Sequence, residues 1–300
     1  MAITCHIAHA LDVMFEEKDF SRVFEYEHKD FFILSDYSGT TKKKGYRTYA
    51  FLIFQPYAEN CFFRNQKLIR ADFLGDGRRI AFKGLNDRNK INALIPLLAT
   101  YNQISGCLIS ISVSNAVMFR QEGAVSEKIE TWKPKIRGRL LDISDFCAYL
   151  IKKCFNKEER IFWITDLDDI AQNHRQVEAL ELILTDSLTD LGVSEPTIHV
   201  HTSESDDPEN RRIEDVLSVC DLVAGAMSEV VSVTPIPKID MFVDHGPSGL
   251  SWKSNLISSW LVSESNLIKF PHVIISHDTS LPGDARVTSL HPSNSNPFEN

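Results

Sequence analysis

The four consecutive apolar residues Phe31-Phe32-Ile33-Leu34 constrain the fold more than any other stretch. They run into Asp36 and a turn at Ser38-Gly39. Apolar side chains on both parities of a strand require cover on both faces, so this segment reads as a central strand of a sheet with layers on either side. A carboxylate at the tip of such a strand is costly unless hydrated, paired or bound to a cation. The remaining strands and helices decide which elements bring partners to Asp36.

Tyr46–Gln55 is a second strand, rich in aromatic and β-branched residues, and a short polar loop joins it to the first as a hairpin. Cys61–Phe63, Lys67–Phe73 and Arg78–Phe82 read as short strands. A helix follows, capped by Asn86 or Asp87 and running to Tyr101, with Ile91, Leu94, Ile95, Leu97 and Leu98 inward. Gly106–Ser114 alternates as a strand. Ser144–Phe155 reads as a helix capped by Ser144, Arg160–Asp169 as an apolar strand ending in carboxylates, Ile170–Leu191 as a helix stopped by Gly192, Thr197–His201 as a strand and Arg211–Val231 as a helix. After Pro235 prolines and serines dominate. Strands followed by helix–strand alternation imply an α/β fold, a mixed sheet flanked by helices. The expected layout is an N-terminal arm (1–29), a main domain (30–231) and a C-terminal extension with a loose tail (232–300).

Six scattered cysteines without a C-x-x-C pair favour a reducing, cytoplasmic setting. Asp12, Glu16 and Glu17 leave no basic leader before an apolar core, so neither a signal peptide nor a membrane partner is expected. The net charge of −9 argues against indiscriminate nucleic-acid binding. Charge is uneven, however: Thr40–Lys90 holds twelve Lys or Arg against four Asp or Glu. Within it, Lys42, Lys43, Lys44 and Arg47 are candidate phosphate contacts, a solvated loop being the alternative for the lysines.

Two apolar strands end alike, one on Asp36 and the other on Asp166, with Asp168 and Asp169 beyond. Side by side and parallel, they deliver both carboxylates to one edge, where α/β sheets place ligands. On the helix Arg211–Val231 a third carboxylate, Asp221, shares a stripe with Glu214, Leu217, Ala224, Gly225 and Ser228. Carboxylates from two strand ends and a helix suit Mg²⁺ or Mn²⁺, and a metal pair there can drive phosphodiester hydrolysis. Asp36, Asp166 and Asp221 are the candidate catalytic and metal-binding residues, with Asp169 and Glu214 auxiliary. The alternatives are an N-cap cluster at Asp166–Asp169 and a plain salt bridge at Asp221. His199-x-His201 has chelating spacing but no third ligand nearby in sequence.

These motifs resemble the RNase H-like superfamily, in particular a broad bacterial family of unknown function catalogued under the number 3800. Its first strand ends in Asp-x-Ser-Gly, matched by Asp36-Tyr37-Ser38-Gly39, with Tyr37 where the family commonly has Glu. A later strand ends in an Asp, matched by Asp166, and a late helix carries an Asp before small apolar residues, matched by Asp221-Leu-Val-Ala-Gly-Ala226. The resemblance spans roughly 30–231. It implies an RNase H-like nuclease acting on DNA or RNA, often linked to mobile elements or phage defence. The alternative, from Tyr37 and the acidic net charge, is an inactive scaffold that binds a protein partner in a defence complex. A nucleotide-handling enzyme is disfavoured because glycine-rich phosphate loops are missing.

Overall fold

The computed structural model describes residues 12, 29–38, 45–55, 61–117, 129, 132–155, 159–166, 170–193, 197–203, 211–233, 249–270, 272–277 and 285–290. Among these residues eight strands make one mixed sheet: β1 (Asp30–Ser38), β2 (Tyr46–Phe54), β3 (Gly106–Ser114), β4 (Arg160–Thr165), β5 (Thr197–Thr202), β6 (Leu267–Lys269), β7 (His272–His277) and β8 (Ala285–Leu290). Their order is β5-β4-β1-β2-β3-β7-β8, and β6 pairs with the start of β3. The meander β1-β2-β3 is antiparallel, whereas β4 lies parallel to β1 and β5 parallel to β4. β1 is therefore interior, as its two-sided apolar run requires.

Alternation along β1 and β2 divides the core. Phe31, Ile33, Tyr49 and Phe51 meet the helices α3 (Pro134–Cys154) and α4 (His174–Asp190) on one face. Leu34, Ala50, Leu52 and Phe54 meet the other layer, formed by α1 (Cys61–Phe73), α2 (Arg88–Tyr101), α5 (Arg211–Val233) and α6 (Trp252–Val262). Among the described residues α5 is the one helix long and apolar enough to cross a membrane, yet most of it is buried against β1 and β2, where it serves as the core helix of its layer. Cys107, Cys147, Cys154 and Cys220 are free thiols.

Several sequence expectations are corrected. Cys61–Phe73 is one helix, not two strands: Phe62, Gln66 and Ile69 are buried at i, i+4 and i+7. Arg78–Phe82 joins no strand; it is irregular up to an extended Ala81, which leads into a 3₁₀ turn at Phe82–Gly84. The helix expected from Ser144 starts ten residues earlier as α3, with Pro134 at its start where a missing N–H costs nothing, and Ser144 is buried mid-helix rather than capping. Asp87 does cap α2, accepting from the Asn89 and Lys90 N–H groups, but Ile95 faces solvent at 56% exposure. α4 begins at His174 under an Asn173 cap, so Asp166 does not cap it. Beyond residue 248, α6, β6, β7 and β8 are built into the same sheet and core as the preceding elements. The expected N-terminal arm lies, apart from residues 12 and 29, outside the described residues.

Candidate functional site

Asp36 and Asp166 lie at the same level on adjacent strands, although β1 does not end on Asp36 as expected: Asp36 still pairs with Ala50 and the strand continues to Ser38, whereas Asp166 lies just past the end of β4. The β1–β4 register pairs Leu34 with Ile164 and Ser35 with Thr165, so the next residues are Asp36 and Asp166. Parallel strands sit about 4.8 Å apart. Leu34 and Ile164 both pack toward α5, and two residues further on the same parity puts both aspartates on that face. Asp36 is 8% exposed, and its Oδ1 accepts the Tyr37 N–H at 2.6 Å. Asp166 is more open and accepts from the Ser203 hydroxyl at 3.2 Å, Ser203 lying just past β5.

α5 brings the third carboxylate. Its Cys220 thiol donates to the Leu34 carbonyl at 3.4 Å, which seats the helix directly on β1. Asp221, the next residue, accepts the Phe82 N–H at 2.5 Å. Burial raises the Asp221 pKa; the Phe82 N–H lowers it, and the negative charge of Asp166 raises it further. Asp36 and Asp221 likewise both help raise the Cys220 thiol, already pushed up by burial. Asp221 thus lies within electrostatic reach of Asp166, and Asp36 and Asp221 both act on the Cys220 thiol.

The 3₁₀ turn at Phe82–Gly84 reaches Asp221 because of Gly225. A Cβ there would lie 2.3 Å from Phe82 Cγ, so only glycine lets the ring settle on the helix. Lys253 of α6 holds the same turn from the other side, donating to the Phe82 carbonyl at 2.8 Å with its ammonium 4.0 Å from the ring centroid. The small-residue stripe legible on α5 is therefore the seat of a turn that supplies a donor to Asp221.

Arg79 links the remaining acids. It bonds Glu214 in the first turn of α5 and lies 3.6 Å from Asp166 Oδ1. Glu214 is buried, and its Oε2 has no hydrogen-bond partner among the described residues. Asp169 lies outside the described residues.

Arg47, expected to meet phosphate, is committed elsewhere. It points to the α3 face, where its Nε sits 2.8 Å from Asp142 and its Nη2 donates to the Val117 carbonyl at 3.1 Å. The Tyr49 hydroxyl donates to the same Asp142 carboxylate at 2.7 Å. Burial holds Asp142 up at about 6 even against Arg47 and Tyr49. Burial lowers the Arg47 pKa too, but Asp142 and Tyr49 more than offset it. Lys42, Lys43 and Lys44 lie outside the described residues. Tyr37 also faces α3: the Arg139 guanidinium stands 4.2 Å above its ring and donates to its hydroxyl at 3.0 Å. An acid at position 37 would project away from Asp36, so the tyrosine takes no ligand from the Asp36 face.

In kind, the donors fit a hard divalent cation: carboxylate oxygens only, one of them at Glu214 buried without a hydrogen-bond partner. Among the described residues no three His, Cys, Asp or Glu stand close enough to form a ready-made metal group. Sequence reasoning missed Phe82, Arg79, Ser203 and Lys253. A glycine on the Asp221 stripe was the one available signal, and it could not say which residue filled the space. No family model, curated protein or solved structure matches the chain.

Proposed function

We propose that this chain is an RNase H-like, divalent-metal-dependent phosphodiesterase acting on nucleic acid. The observation that carries the reading is the shared register of Asp36 and Asp166 on one sheet face, with Asp221 close enough to Asp166 for its pKa to feel that charge. An antiparallel β1-β2-β3 meander extended by parallel β4 and β5 supports the RNase H-like assignment. Asp36, Asp166 and Asp221 would hold Mg²⁺ or Mn²⁺, with Glu214 and Asp169 auxiliary; when bound, such an ion would supply the acidity that activates water and the charge that offsets the leaving oxygen. The chain's own groups orient that set: Phe82 and Ser203 fix Asp221 and Asp166 by hydrogen bonds. Buried free thiols suit a cytoplasmic setting, and a role in phage defence or near mobile elements follows from the family resemblance.

Arg79 favours a second reading. A guanidinium against Asp166 and Glu214 can replace a metal ion and leave an inactive scaffold that binds a protein partner in a defence complex. Labelled DNA and RNA incubated with Mg²⁺, Mn²⁺ or chelator separate the two. The enzyme gives metal-dependent cleavage that Asp36→Asn and Asp221→Asn both abolish. Absence of cleavage on every substrate in every metal sinks it in favour of the scaffold.

A further inference from the structure

A groove of about 370 Å³ opens between α1 and the start of α5, floored by the turn through Gly75 and Gly77. Gln66, Lys67, Arg70, Arg211 and Arg212 contribute to its wall. Four of these five are basic, on a chain of net charge −9. Arg70 is neutralised: its guanidinium forks onto Asp215 at 2.5 and 2.6 Å. Among the described residues no carboxylate pairs with Lys67, Arg211 or Arg212, so three uncompensated cations face one cavity.

The groove is shaped, not only charged. Gly77 has φ +77°, and a Cβ there would fall 1.9 Å from Arg211 Nη1, so the guanidinium rests against bare backbone. Gln66 is 2% exposed and ties α1 to α5, bonding both Asp215 and the Arg211 carbonyl. Arg211 is also the first residue of a 23-residue helix, whose dipole favours an anion at that end. Along α5 one turn separates Arg211 from Glu214, which Arg79 links to Asp166. The groove therefore adjoins the carboxylate site.

We propose that this groove, through Lys67, Arg211 and Arg212, binds the phosphate backbone of the nucleic acid whose cleavage is proposed above, and the assignment rests on that reading. It replaces Arg47, whose charge is spent on Asp142. Cations that meet phosphates release condensed counterions, so each contact adds about one unit to the slope of log affinity against log salt.

The test is fluorescence anisotropy with labelled single-stranded DNA, duplex DNA and single-stranded RNA, in chelator so that no cleavage intervenes. Lys67→Glu with Arg212→Glu is compared with wild type and with Lys152→Glu, an exposed charge on the opposite layer. The groove pair should weaken binding at least tenfold and flatten the salt slope by about 2, while Lys152→Glu binds as wild type does. Arg211→Gln should flatten the slope by about 1 with unfolding unchanged. Binding by the groove pair equal to that of Lys152→Glu, or no binding by wild type on any probe, overturns the proposal. Groove-dependent binding with no cleavage in any metal upholds the groove and removes the nuclease instead.

Discussion

Phe82 donates its backbone N–H to the Asp221 carboxylate at 2.5 Å across a contact that Gly225 makes possible. Gly225→Ala inserts a methyl 2.3 Å from the Phe82 ring, so the turn must lift and Asp221 loses its donor. Urea unfolding should show a loss of about 1–3 kcal/mol, the usual cost of overpacking. Any cleavage should fall as far as in Asp221→Asn. Gly138→Ala in α3, where nothing among the described residues lies within 4 Å of the added methyl, should instead stabilise by about 0.5–1 kcal/mol. Equal stability for the two variants would refute the packing account.

Arg79 decides between ion and scaffold. Arg79→Met strips the partner from the buried Glu214 carboxylate and should cost about 2 kcal/mol in thermal or urea unfolding, discounted because Arg79 itself is 39% exposed. If Asp166 and Glu214 belong to a metal site, Mg²⁺ or Mn²⁺ replaces the lost cation, and the Tm of the variant climbs with metal more steeply than that of wild type. A Tm indifferent to both metals in both proteins assigns Arg79 to a structural bridge.

The sequence made the site's carboxylates legible because strand ends and helix stripes carry strong periodic signals. Asp36, Asp166 and Asp221 sit where a two-fold or 3.6-fold pattern meets a charge, and β1 through β5 are all recognisable from their apolar runs. What was hidden came from long-range pairing and from loops. β7 pairs with β3 across some 160 residues of sequence, and β6 spans three residues; neither carries a register of its own. α1 looked like two strands because polar Arg64, Asn65 and Gln66 interrupt its apolar residues, yet Gln66 is buried through its bond to Asp215. Arg79 and Phe82 belong to an irregular segment and the turn that follows it, whose contacts are long-range: α5 and Asp166 for Arg79, α5 and Lys253 for Phe82.

Arg47 tests whether the basic segment is a surface or a scaffold. With Asp142 5% exposed, removing its cation leaves a buried charge, and Arg47→Met should destabilise by about 3 kcal/mol. Adding Asp142→Asn should recover part of that loss, since the orphaned charge goes too. Oligonucleotide affinity of the folded variant should match wild type. A weakened affinity with unchanged unfolding would return Arg47 to the phosphate-binding set.

His272 gives the fold a pH dependence of definite sign. In β7 its Nδ1 meets the Ser110 hydroxyl at 2.8 Å and its Nε2 the Ser112 hydroxyl at 3.0 Å, and Ser112 meets Thr48 at 2.7 Å. Burial lowers its pKa to about 3, so the folded state keeps the ring neutral. The unfolded chain takes up that proton below about 6.5. The contribution is complete above about 6.5 and is lost as pH falls toward 3, at about 1.4 kcal/mol per pH unit. Asp142, held at about 6 by burial, acts oppositely: from pH 6 down to about 4 the folded state binds the extra proton and gains stability. The two slopes oppose each other in that window, which hides both in wild type. His272→Gln removes one of them, so its stability relative to wild type should improve by about 1.4 kcal/mol for each unit between pH 6 and 4. Urea midpoints at pH 7, 6 and 5 measure it, and a gap between the two proteins that stays constant with pH would mean that His272 titrates no differently in the folded and unfolded chains.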